Sequence, residues 1–168
     1  ANRGAPGIDG VRLEDVPAYA RNHWPDVREQ IEQGRYAPQP VRRVAIPKPD
    51  GGERLLGIPT ILDRVIQQAI AQVLTPIFEP TFSASSFGFR PGRNAHQAIR
   101  QVQTYVKAGY RIAVDLDLAK FFDTVDHDRL MNRLGPTIRD KRLLALIGSY
   151  LRAGVLVEDP EQARAFLA

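Results

Sequence analysis

Residues 111–128 read RIAVDLDLAKFFDTVDHD, and this run decides the fold. Ile112, Val114, Leu116 and Leu118 alternate with Ala113, Asp115 and Asp117, which is the two-residue period of a β-strand with one apolar and one acidic face. Two desolvated carboxylates on one strand face cost on the order of several kcal/mol unless a cation compensates them. The pattern therefore predicts a strand whose acidic side receives a divalent metal. Beyond it, residues 119–123 predict a short helical piece, and Asp126 reads as the N-cap of a helix carrying Leu130, Met131 and Leu134. Asp126, His127 and Asp128 have the chemistry of metal ligands, but all three fall at a helix start, where capping and the helix dipole explain them.

Upstream, Gly88, Pro91 and Gly92 force an irregular loop that gathers Phe87, Phe89, Arg90 and Arg93. Aromatics interleaved with arginines stack on bases and pair with phosphates, although Phe87 and Phe89 serve equally as loop anchors. Asn94 is the natural cap of a helix that buries Ala95, Ala98, Ile99, Val102, Tyr105 and Val106 before Gly109 stops it; His96 stands alone and is not a metal ligand. Before that loop, residues 60–78 repeat apolar side chains every three to four positions, an amphipathic helix capped by Thr60 and ended by Pro80.

Further back, VRRVAIPKPDGGERLLGIP from residue 41 gives two β-rich runs around a turn of Pro, Asp and paired Gly, a hairpin. Lys48 and Arg54 flank its tip. An ammonium and a guanidinium there can clamp a triphosphate, or serve only solubility. Arg42 and Arg43 face nucleic acid or solvent. Residues 13–33 predict a helix broken into two pieces by Pro17 and Pro25, and residues 1–11 predict a loop. A last helix is predicted near residues 137–153, with too little chain after it for another element.

The chain has 168 residues, 43% of them hydrophobic, enough for one core. Lys and Arg number 23 against 19 acids, and the formal charge of +4 fits a polyanionic partner. There is no cysteine, so neither a disulfide nor a thiolate metal site is available. No run approaches the ~18 apolar residues of a membrane span and no secretory signal is present, so a cytoplasmic address is expected.

DLAKFFD at residues 117–123, with the TVDHDRL that follows, resembles the first catalytic motif of reverse transcriptases of the group II intron (maturase) class. GAPGIDGV at 4–11, the block at 41–60 and the block at 63–99 resemble that family's successive blocks in order, so the likeness covers most of the chain. The resemblance implies an α+β fold, with fingers at residues 1–110 opening on an RNA-facing loop, and the start of an antiparallel palm sheet at 111–168. It implies that Asp117 and the Leu118 carbonyl bind Mg²⁺, that Lys48 and Arg54 contact the triphosphate of an incoming deoxynucleotide, and that the Phe122 ring excludes a 2′-hydroxyl. Its partners are then intron or template RNA and a cDNA primer. The family's paired-Asp motif and the Pro-Gln-Gly block before it are absent, so the chain is expected to be a part of the enzyme, inactive alone. An RNA-binding fingers module acting without catalysis is the alternative. A polymerase of ribonucleotides or a cyclase would share the acidic strand but not the series of blocks. A sheet edge left without its neighbours also offers pairing with a second copy.

Overall fold

The structure, a computed structural model, describes residues 4–49 and 51–156. Asp50 of the expected turn, residues 1–3 of the opening loop and residues 157–168 of the expected palm lie outside the described residues. The fold is α+β: among the described residues there are five α-helices and one three-stranded sheet.

A 3-10 turn at Leu13–Asp15 leads into α1, Val16–Glu32, which is continuous rather than broken in two. Pro17 sits in the first turn, where its missing N–H has no helical partner to lose; Pro25 lies inside the helix on an exposed stretch, where water can satisfy the carbonyl it leaves unpaired. β1, Val41–Pro47, and β2, Glu53–Ile58, form the expected antiparallel hairpin, and Gly51 and Gly52 at its tip have φ of 85° and 86°, a region open to glycine. α2, Ile61–Phe78, follows. Asn94 caps α3, Ala95–Lys107, through a reciprocal capping box with Gln97. α4, His127–Leu134, is capped by Asp126, whose carboxylate accepts the Arg129 amide at 2.9 Å. The last helix, α5, is Lys141–Leu151, shorter than the predicted span because Asp140 caps it by accepting the Arg142 and Leu143 amides. After it comes an element the sequence did not suggest: β3, Val155–Leu156, pairs in parallel with the start of β1, giving the order β2-β1-β3.

Two compact units emerge. One draws on residues 1–67 and 125–168, the other is Gln68–Thr124.

The residues buried as a whole belong to the first unit, where Val27, Ile61, Leu62, Ile66 and Ile138 form the apolar core. Within it Asp63 is only 1% exposed. Its carboxylate accepts the Thr60 hydroxyl at 2.6 Å, the Tyr36 hydroxyl at 2.8 Å, the Tyr150 hydroxyl at 3.0 Å and the Gln39 amide at 3.2 Å. Four donors satisfy a charge that burial would otherwise make costly. They also tie the segment after α1, the start of α2 and the end of α5 to one group. Burial, followed by the nearby Asp63 carboxylate, pushes both tyrosine hydroxyls above their usual range.

The opening loop is held to the same unit. Asp9 accepts the Ile61 and Val11 amides, both at 3.3 Å, and Arg64 donates to the Pro59 carbonyl at 3.0 Å and to the Ala5 carbonyl. Gly7 is buried so closely that a Cβ there would lie 2.7 Å from the Pro59 oxygen and the Thr60 Cα. That contact is backbone, which explains the need for glycine.

The expected strand at residues 112–118 does not form: these residues have no regular secondary structure, and Ile112 and Leu116 are both 88% exposed. A strand is held by ladder hydrogen bonds, and this run pairs with none of the described strands, which are built from residues 41–58 and 155–156. The buried stripe expected on α3 is likewise open, with Ile99, Val102, Tyr105 and Val106 exposed. Among the described residues no helix is long and apolar enough to cross a membrane.

Candidate nucleic-acid and nucleotide interface

The hairpin register fixes which side chains share a face. Val44 stands opposite Leu56 and Ile46 opposite Arg54, and the Lys48 amide donates to the Gly52 carbonyl at 3.0 Å. Since side chains alternate along a strand, Arg42, Val44 and Ile46 point to one face together with Arg54, Leu56 and Ile58. Lys48 follows the last residue of β1, so that it and Arg54 lie on either side of the glycine tip in the chain. Arg43 falls on the opposite face with Leu55 and Glu53. Arg42 donates to the Pro6 carbonyl at 3.4 Å, so its guanidinium helps hold the opening loop.

In the second unit, the loop between α2 and α3 is organised by Arg90. Its side chain is 9% exposed, and its guanidinium makes four hydrogen bonds and an ion pair. Nε donates to Glu79 Oε1 at 2.9 Å, Nη1 to the Ser83 and Ser86 carbonyls at 2.6 and 2.9 Å, and Nη2 to the Glu79 carbonyl at 3.3 Å and its carboxylate at 2.8 Å. The Phe82 ring lies 5.2 Å from the guanidinium carbon. Arg90 directs these donors at the loop's own carbonyls and at Glu79. Arg93 differs. It lies over the Phe87 ring at 5.5 Å and donates one bond, to the Ala84 carbonyl at 3.2 Å, leaving other N–H groups for a phosphate.

The two aromatic residues part company in the same way. Phe87 is half-buried beneath Arg93, an anchor, whereas Phe89 is fully exposed with φ of 54°, a left-handed conformation that a bulky residue adopts at a cost of about 1–3 kcal/mol. The Arg90 bonds immediately beside it hold that backbone in place. Phe89 borders an open groove of about 670 Å³, lined also by Leu74, Phe78 and Phe82.

In the acidic run, Asp117 is exposed and its carboxylate accepts the amide of its own neighbour, Leu118, at 2.9 Å. Asp115 is exposed as well. Phe122 opens a 3-10 turn, Phe122–Thr124, with its ring edge-on to Phe121 at 5.4 Å and otherwise exposed. The donor chemistry suits Mg²⁺, which prefers hard oxygens, but it is incomplete: among the described residues no three His, Cys, Asp or Glu side chains come together as a metal site.

The comparison with known proteins bears on these two units together. Residues 46–165 match the family model described as reverse transcriptase (RNA-dependent DNA polymerase), a span that takes in the hairpin tip and β2, the Arg90 loop and the acidic run. This chain belongs to the reverse transcriptase family. It is 38% identical over 153 residues to Protein YkfC of Escherichia coli (strain K12), a match covering 89% of this chain and 40% of that protein. It is 34% identical over 157 residues to the group II intron-encoded protein LtrA of Lactococcus lactis subsp. cremoris, covering 93% of this chain and 26% of LtrA. Nuclear intron maturase 1, mitochondrial, of Arabidopsis thaliana is 40% identical over 94 residues, 56% of this chain and 13% of that protein. The chain thus spans 40% or less of the length of these relatives.

For this reverse transcriptase chain, sequence reasoning found the polar tip of the hairpin and the acidic run but missed what Arg90 holds. Its partner Glu79 lies eleven residues earlier, at the end of α2, and no local spacing rule joins the two. The signal available was the absence of any other acid between Glu79 and Asp115. A buried guanidinium in that stretch had few choices of partner.

Proposed function

We propose that this chain is the fingers (residues 1–110) and first palm portion (residues 111–168) of an RNA-directed DNA polymerase of the group II intron class, acting on intron or template RNA, a cDNA primer and deoxynucleotides. The observation that carries the reading is the hairpin, whose glycine tip is flanked by Lys48 and Arg54, within a chain of the reverse transcriptase family. A planar guanidinium and a point-charged ammonium at one tip suit the oxygens of a triphosphate. The names of LtrA and the intron maturases support the intron association, and that class handles RNA as substrate and partner.

In this reading Asp117 and the Leu118 carbonyl hold Mg²⁺, which would neutralise charge on the reacting phosphates, with further carboxylates required to complete the set. Phe122, exposed beside Asp117 in sequence, presents a ring large enough to exclude a ribose 2′-hydroxyl. Arg93, with N–H groups to spare, and the free ring of Phe89 suit a phosphate and an unstacked base. Arg42 and Arg43 lie on opposite faces of the hairpin and add positive charge to both. β2 is an edge strand among the described residues, the feature that favours pairing with a second copy. A cytoplasmic address fits the lack of a spanning helix among the described residues.

The test is primer extension by a protein of the relatives' length that contains this chain. Lys48→Ala and Arg54→Ala should each raise the KM for deoxynucleotides about tenfold or more, the loss of one charge-assisted contact, with primer–template affinity unchanged. Equal loss of primer–template affinity would reassign the pair to nucleic-acid binding. Wild-type KM in both variants would remove the hairpin from the site.

A further inference from the structure

Between residues 80 and 114 the chain contains Arg90, Arg93, Arg100, Lys107 and Arg111 and no Asp or Glu, although it carries 19 acids in 168 residues overall. A stretch with one sign of charge over that length costs self-repulsion unless an anion is met. Arg90 bonds within its loop, but the charges that follow are arranged by α3. His96, Arg100, Gln103 and Lys107 recur at steps of four, three and four residues, which at 3.6 residues per turn confines them to a sector of about 60°. Ile99, Val102, Tyr105 and Val106 occupy another side of the same helix. All four polar side chains are exposed, and those of Arg100 and Lys107 make neither an ion pair nor a hydrogen bond among the described residues.

We propose that this stripe of α3 is a nucleic-acid contact, with Arg100 and Lys107, about 10 Å apart along the helix, each taking a phosphate of an RNA strand and His96 and Gln103 hydrogen-bonding the backbone beside them. The inference rests on the reading of the chain as an RNA-handling polymerase part, and adds a surface separate from the hairpin and the acidic run. The contact is with the backbone, so it grips without selecting sequence. The helix supports such a role because its capping box secures the first turn, while the polar face is left to solvent.

The experiment is fluorescence anisotropy of a single-stranded RNA oligonucleotide titrated with the chain over a range of salt. Arg100→Gln with Lys107→Gln should reduce the slope of log affinity against log salt by about 1.4, and weaken binding about 25-fold near 0.1 M salt. The charge-preserving pair Arg100→Lys with Lys107→Arg should keep the wild-type slope. Arg21→Gln with Arg139→Gln, exposed on α1 and before α5, removes the same net charge and should also keep it. An unchanged slope in the first pair, or an equal fall in the α1 and α5 control, overturns the stripe while leaving the polymerase reading intact. Failure of the wild-type chain to bind RNA at any salt overturns both.

Discussion

Asp63→Ala is expected to destabilise the chain by about 3–5 kcal/mol, enough to unfold a domain of ordinary stability at moderate temperature. The carboxylate gathers the hydroxyls of Tyr36, Tyr150 and Thr60 and the Gln39 amide from positions as far as 87 residues from Asp63. Removing it leaves those donors facing one another with no acceptor between them. Asp63→Asn should recover little, because an amide nitrogen would confront hydroxyls that already donate. Thermal and denaturant unfolding of the three proteins measures this; a shift of less than about 1 kcal/mol for Asp63→Ala would mean water replaces the carboxylate. The same cluster sets an alkaline limit. Both tyrosines have folded pKa values raised above the ordinary 10.0, so the neutral hydroxyls are favoured by folding. Their contribution is complete below pH 10 and declines as pH rises from there towards the raised values.

Asp117→Asn, in a protein of the relatives' length, is expected to lower kcat of DNA synthesis by about 10³-fold or more, because an anionic oxygen required by Mg²⁺ is removed while the side chain keeps its shape. Stability should hardly change, within about 0.5 kcal/mol, since Asp117 is exposed and bonded only to the next amide. Primer–template affinity should hold too, so the loss would fall on the chemical step. Asp115→Asn should do much less. Near-normal synthesis by Asp117→Asn, or a lethal Asp115→Asn, would show that the acidic run is aligned wrongly with the catalytic motif.

What could be read in the sequence was local. Asn94 and Asp126 announce the helices they cap, paired glycines announce the hairpin tip, and the three-to-four spacing announces α2, because each rule acts over a few residues. The place of Lys48 and Arg54 at the hairpin tip was legible for the same reason. The two-residue alternation at 112–118 was equally clear, yet a strand needs an edge to pair with, and alternation says nothing of whether one exists among the described residues. The partners of Arg90 were not legible because exposure is a property of the folded loop: a guanidinium among aromatics looks the same in sequence whether it points to solvent or to Glu79. β3 was invisible, being two residues long and defined only by its neighbour.

α2 carries one uninterrupted apolar repeat, but its burial is uneven: Ile61, Leu62, Asp63 and Ile66 are buried, while Val73 and Ile77 are exposed. Amide hydrogen exchange should therefore divide this single helix. The amides of its first turns are locked behind the opening of a core and should exchange only through near-global unfolding, whereas those past residue 70 should exchange through fraying from the end that leads to Pro80. A helix of uniform sequence character would thus behave as two kinetic segments, the protected one beside Asp63 and the labile one leading to the loop that Arg90 gathers.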